Sequence, residues 1–174
     1  GRLEEHVLHE DGRLHMAPPE ILGEIDRLEK DLCAGRFDSG TRLLLVGRRQ
    51  LRSNNSWMHG CPSLASGRDR CTLLIHPRDA AGRGVTDGAV VRVRSRVGEV
   101  NVTACVTDEM MPGVVSLPHG YGHDRPGTRV GVAARRPGVS MNDLTDEQVV
   151  EGLLGNAVLT GVPVEVVPVG RAEA

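Results

Sequence analysis

Apolar positions in this chain follow two different rhythms. Between residues 18 and 35, Ile21, Leu22, Ile25, Leu28 and Leu32 recur at three- and four-residue intervals with Glu and Arg between them. That spacing gathers them on one stripe of an α-helix. Pro18 and Pro19 suit its start, where missing N–H groups have no intrahelical use, and Gly35 suits its stop. The pattern predicts one amphipathic helix over Pro19–Ala34.

From Thr41 onward the runs shorten to TRLLLVG, CTLLIH, GAVVRVRS, GEVNVTACVT, GVVSLP and VPVEVVPV. Val91 and Val93 alternate with Arg92 and Arg94, while Val100, Val102, Ala104 and Val106 alternate with Asn101, Thr103, Cys105 and Thr107. Period-two alternation buries one face of a strand and solvates the other. Six such runs between Gly- and Pro-bearing turns predict a mainly-β fold, a closed or nearly closed barrel. Two short helical insertions are expected. HPRDAAGRG carries Pro77 and Asp79 at its start, and LTDEQVVEG has Thr145 three residues before Gln148 in the spacing of a capping box.

Composition narrows the function classes. The 174 residues suffice for one domain with a core, and 39% apolar with 25% charged residues is ordinary globular usage. No apolar run approaches the roughly 20 residues that a membrane-spanning helix needs. A formal net charge of −2 excludes the broad basic field of a nucleic-acid binder, so any anion site must be local. Cys33, Cys61, Cys71 and Cys105 lie far apart without a C-x-x-C pair, which argues against a zinc knuckle or redox motif and fits a reduced, cytoplasmic setting.

The segment that stands out is GRRQLRSNNSWMHG, residues 47–60, directly after the first strand. Its arginines, asparagines and serines offer donors and acceptors beside Trp57, the only tryptophan. The bland alternative for each arginine is a surface ion pair. His119 and His123 invite a metal reading, but Gly120, Gly122 and Pro118 break any helix that would align them, and no third ligand has matching spacing.

In order along the chain come GRRQLRSNNSWMHG, HPRDAAGRGVTDGAVVRVRSRVGEV, DEMMPGVVSLPHGYGH, VSMNDLT and a terminal strand after LTGVP. This set resembles the C-terminal molybdopterin-dinucleotide-binding domain of the formate dehydrogenase, nitrate reductase and dimethyl sulfoxide reductase family, over residues 41 to 169. P-x-D-A followed by G-V-x-D-G-x-x-V-x-V-x-S-x-x-G is its most specific piece, and Asn-x-Leu-Thr the second.

The resemblance implies a six-stranded double-psi β-barrel with crossing connections. It implies bis-molybdopterin guanine dinucleotide on molybdenum or tungsten as cofactor, in an enzyme of two-electron redox chemistry on a small-molecule substrate. Arg48, Arg52 and Asn54 fall where family members contact the cofactor, although His or Ser is frequent at the last two; Ser53, Asn55 and Ser56 extend that loop. His119, Gly120 and Tyr121 form the second contacting loop, Asn142 matches the family asparagine near the pterin, and Gly161 allows close backbone approach.

The metal ligand and the chemistry belong to earlier domains of such enzymes, so no catalytic or metal-ligating residue is assigned here. The expected partners are those preceding domains of the same polypeptide. The absent initiator Met and the run-in EHVLHEDGRLHMAPPEI fit residues 1–40 as a linker and helix leading from them into the barrel domain of 41–174. The loop GRRQLRSNNSWMH looks closest to the formate dehydrogenase-like branch. The alternative is a free-standing barrel, either a pterin-carrying subunit or a protein-interaction domain without catalysis.

Overall fold

A computed structural model describes residues 2–35 and 42–170; Thr41 and residues 171–174 of the expected barrel span lie outside the described residues. The chain forms two compact units.

In the N-terminal unit, the single turn α1 (Leu3–His6) precedes α2 (Pro19–Cys33). Pro18 caps α2 in an extended conformation and Pro19 occupies its first turn, as the sequence predicts. Ala34 closes the helix with its N–H on the carbonyls of Lys30 and Leu32, and Gly35 follows at φ 65°. No residue of α2 is buried, and the stripe Ile21, Leu22, Ile25, Leu28 and Leu32 is 48–59% exposed.

The second unit is a closed barrel of β1 (Leu43–Arg48), β2 (Thr72–Ile75), β3 (Val90–Arg94), β4 (Glu99–Val106), β5 (Val114–Pro118) and β6 (Val162–Pro168). Around the barrel the order is β1-β5-β2-β4-β3-β6. Only β3 and β4 are neighbours in both sequence and space. The connection from β1 to β2 passes over β5, and that from β4 to β5 passes over β2, so the two crossovers interlock as a double-psi barrel.

Pairs β1/β5 and β2/β4 are parallel, and all other neighbours are antiparallel. It follows that β1, β3 and β5 end at the mouth where β2, β4 and β6 begin. The core is aliphatic: Leu43, Leu45, Leu73, Ile75, Val91, Val93, Val115, Leu117, Val164 and Val166 are buried. Period-two alternation is obeyed in β3, β4 and β6, where one face meets this core and the other meets solvent.

The first half of the most specific sequence motif sits at the opposite mouth and is structural, while its second half runs through β3 to Ser95 and Gly98. HPRDAAGRG forms α4 (Pro77–Arg83), after the one-turn α3 (Pro62–Ala65), and ends at Gly84 in the left-handed region. The Asp79 carboxylate accepts from the Gly113 N–H at 2.7 Å, and the Asp87 carboxylate accepts from the Val106 N–H at 2.9 Å. Each aspartate thereby satisfies a backbone donor that the barrel ladders leave unpaired.

The second predicted helical insertion does not form. Met141–Leu144 is a short 3₁₀ helix, and LTDEQVVEG beyond it is turn and bridge, with Val150 paired to Ala157. Thr145 does not cap anything downstream, because its hydroxyl donates back to the Asn142 carbonyl at 2.9 Å. Asp146 takes the Gln148 N–H at 3.0 Å and pairs with Arg96, so it holds a turn where the helix was expected to start.

Candidate functional site

The topology decides where the singled-out residues lie. The connections β1 to β2 (49–71), β3 to β4 (95–98) and β5 to β6 (119–161) all emerge at one mouth. Arg48 to Ser56, His119 to Tyr121, Asn142 and Gly161 therefore gather at one end of the barrel, although they span more than a hundred positions of sequence.

The first two loops touch. His119 donates its N–H to the Arg48 carbonyl at 3.2 Å, continuing the β1/β5 pairing past the strand end. Gly120, at φ 88°, lies so close to the Asn55 peptide that an added β-carbon would overlap the carbonyl and stand 3.0 Å from the Ser56 nitrogen. The 3₁₀ helix closes on both, since Met141 packs on Gly47 of β1 and Ser140 meets Gly122. Asn142 is exposed beside these contacts. Gly161 stands on the far flank, donating its N–H to Leu45 at 2.8 Å and lining a separate cavity of about 530 Å³ with Arg94, Arg96 and Leu144.

Within the first loop, Asn54 and Asn55 adopt left-handed φ values of 42° and 59°, and they are the described non-glycine residues at positive φ. Asparagine tolerates this conformation better than other side-chain-bearing residues. Ser53 is buried, with its hydroxyl on the Gln50 carbonyl at 3.3 Å. Arg52 donates to the Ser63 carbonyl at 2.8 Å, while Ser56 and Trp57 are exposed. Arg49, Gln50, Arg52, Asn54 and Asn55 line an open cleft of about 500 Å³.

Arg48 has structural partners. Its guanidinium donates to the carbonyls of Ser116 at 2.5 Å and Thr72 at 2.7 Å, bracing β1, β5 and β2 at the mouth. Burial depresses its pKa from the usual arginine value, offset in part by Cys71, Cys105 and Tyr121. Two of its three nitrogens are thus engaged within the fold, leaving Nε.

Buried polar atoms without a partner concentrate here. Arg48 Nε, Asn55 Oδ1, His59 Nε2 and His119 Nε2 lie at this mouth, while Arg92 Nε lies on β3. A buried group left unpaired costs about 1–3 kcal/mol, so each of these atoms calls for a partner from outside the chain, water included.

Sequence reasoning passed over His59 and weighed His123 only beside His119. The fold pairs His59 with His123, Nδ1 to Nε2 at 2.6 Å, and sets Tyr121 against His59 with ring centroids 4.4 Å apart. The signal that was available is position: His59 closes the same polar segment as Asn55, and His123 closes the loop of His119. Among the described residues, no group of three His, Cys, Asp or Glu side chains is arranged to hold a metal.

The profile of the family described as the molydopterin dinucleotide binding domain matches residues 43–157, which contain five of the six strands and the loops of Arg48 to Ser56 and His119 to Tyr121. The chain belongs to this family.

This cofactor-binding domain is similar to parts of several reductases. It is 45% identical to trimethylamine-N-oxide reductase of Haemophilus influenzae over 56 residues, 32% of this chain and 7% of that protein. Over 87 residues it is 44% identical to biotin sulfoxide reductase of Cereibacter sphaeroides, 49% of this chain and 12% of that one. A longer match, 29% over 161 residues, joins it to the molybdopterin-containing subunit of the arsenate respiratory reductase of Chrysiogenes arsenatis, covering 87% of this chain and 18% of the relative. The domain thus spans less than a fifth of the length of these relatives. Acetylene hydratase from Pelobacter acetylenicus shares the fold, with a TM-score of 0.61 at 17% identity over 79% of this chain and 20% of that one.

The residues at the mouth fit a molybdopterin dinucleotide. Its guanine and pterin present fused rings with donors and acceptors on their edges, and the unpaired set here holds an arginine N–H, an amide oxygen and two imidazole nitrogens. The nearby guanidinium groups of Arg49 and Arg52 suit a pyrophosphate.

Proposed function

We propose that this domain grips bis-molybdopterin guanine dinucleotide at the mouth where β1 and β5 end, within a longer molybdenum or tungsten oxidoreductase. The observation that carries the reading is the set of four unpaired buried atoms beside an open cleft lined by arginine and asparagine. Asn55 and His119 offer buried ring-edge contacts, with Arg48 Nε behind them. Arg52, Asn54 and Ser56 offer exposed ones, Ser53 and Tyr121 shape the loop interface, and Gly120 admits the close approach. Asn142 and Gly161 extend the contact along the β1 and β6 flank.

When bound, the cofactor supplies the metal centre for two-electron transfer; this chain's residues bind and orient it. In this reading residues 1–40 lead from a preceding domain, residues 41–174 form the grip, and the partners are the catalytic domains of the same polypeptide. The relatives' names favour an oxygen-atom donor, an oxide that is reduced, as substrate, while the likeness of GRRQLRSNNSWMH to the formate dehydrogenase-like branch supports formate as a second reading. Four free cysteines support a cytoplasmic setting.

The test is pterin and metal content per polypeptide in the full-length protein carrying Asn55→Ala or His119→Ala. Content should fall at least tenfold if each removes a buried hydrogen bond. Undiminished content in both would overturn the placement of the site and favour the free-standing barrel reading.

A further inference from the structure

His59 is 8% exposed, and its two ring nitrogens face different surroundings. Nδ1 meets His123 Nε2 at 2.6 Å with the rings nearly perpendicular, at 86°. Nε2 has no partner. His59 also lines a small cavity with Arg52, Arg68, Asp69, Arg70, Tyr121 and Arg136, to which His123 does not contribute. Of the two imidazoles, His59 is the one that shares this cavity with these groups.

The cavity is rich in donors. Arg52, Arg70 and Arg136 are held there by the carbonyls of Ser63, Ser66 and Gly67, and the Asp69 carboxylate accepts from the Cys71 N–H. Among the described residues no carboxylate bonds either imidazole, including Asp124, next in sequence to His123. Guanidinium groups that share a cavity with an imidazole favour a lone pair over an N–H on its free nitrogen. That selects the His59 tautomer with hydrogen on Nδ1, donating to His123 Nε2.

We propose that His59 and His123 are positioning residues that latch the His119–Tyr121 loop onto the segment 52–59 while both imidazoles are neutral, and release it when the pair takes up a proton. The added proton goes to His123 Nε2, the accepting atom. Two N–H groups then face each other, and relief through the other His59 tautomer would set an N–H among the arginines. Besides the latch, the segment is tied through its backbone: His119 donates to the Arg48 carbonyl at 3.2 Å, Gly122 and His123 donate to the Pro137 carbonyl at 2.8 and 3.3 Å, the Thr128 hydroxyl donates to the His123 carbonyl at 3.1 Å, and Gly120 rests against Asn55. Burial and the neighbouring His123 both push the His59 pKa down, so His59 is the member of the pair that stays neutral. The consequence for cofactor retention rests on the proposed grip; the latch itself does not.

The experiment uses the whole chain, labelled with nitrogen-15, between pH 8 and pH 5. Long-range proton–nitrogen correlation reads the tautomer and titration of each imidazole, and amide exchange reads the protection of Gly122 and His123. We expect His59 as the Nδ1–H tautomer, with protection falling about tenfold as pH is lowered from 8 to 5. His123→Gln places an amide oxygen within reach of the Nε2 position, so it should retain protection of Gly122 and remove its pH response; His123→Leu should lose protection at all pH values. An Nε2–H tautomer at His59, or a pH response that survives in His123→Gln, overturns the latch. None of these readouts involves the cofactor, so failure of the proposed grip would appear separately, as unchanged pterin content in the full-length Asn55 and His119 variants.

Discussion

Gly120 and Asn55 are joined by a backbone contact that leaves no room for a side chain: a β-carbon at Gly120 would stand 2.5 Å from the Asn55 carbonyl carbon. The two loops can meet only because residue 120 lacks that atom. Gly127 shares the same φ of 88° but has open space around it. Gly120→Ala and Gly127→Ala should both show the left-handed strain of about 1–2 kcal/mol, and only Gly120→Ala should lose a further ~1 kcal/mol or more. Chemical denaturation of the two variants measures the difference, and equal losses would mean that the loop contact contributes nothing.

Asn55 carries both a strained backbone and an unpaired amide oxygen. Asn55→Gly removes both, so stability should hold or rise by up to about 1 kcal/mol. Retention of the dinucleotide by the full-length polypeptide should fall in the same variant. A group kept against the interest of stability produces that opposition; a purely structural asparagine would not. Urea midpoints and pterin content together decide between them.

Arg48 braces three strands through carbonyls of Ser116 and Thr72. Lysine retains the charge but not the planar fork that reaches two strands at once. Arg48→Lys should therefore lower stability by about 1–3 kcal/mol, because at least one buried carbonyl is left unpaired. A variant whose urea midpoint matches the parent would show that these bonds are dispensable.

Cys71 gives the domain an alkaline limit. Burial raises its thiol pKa, the largest cause, partly offset by the Val139 N–H and by Arg48. A group whose folded pKa is raised binds its proton more tightly in the folded state. Stability is then complete below the unfolded thiol pKa of about 8.5 and declines as pH rises from there toward the folded value. Tyr121, also raised chiefly by burial, adds a second decline beginning near pH ~10. Denaturant midpoints measured from pH 7 upward should fall from about pH 8.5 in the parent and stay level to about pH 10 in Cys71→Ser. An unchanged slope in that variant would assign the alkaline loss elsewhere.

Local patterning along the chain determined the strands and α2 by itself. Val91 and Val93 against Arg92 and Arg94 place a strand without help, because burial of alternate side chains is a property of the strand itself. Pro19 and Gly35 bound α2 for equally local reasons. The same reasoning failed at Thr145, whose capping-box spacing is genuine but whose hydroxyl finds the Asn142 carbonyl nearer, while Arg96 from the β3–β4 turn claims Asp146. The polar richness of residues 47–60 was legible too, and with it the family likeness.

What only the tertiary structure decided is which groups meet and which are already engaged. Arg48 reads in sequence as a free fork and is found bracing β5 and β2, because crossing connections bring Ser116 and Thr72 beside the end of β1. His59 and His123, 64 positions apart, become bonding partners because both of their loops leave the same mouth. Strand direction around a closed barrel sets that mouth. It depends on pairings between distant segments, and no local spacing encodes it.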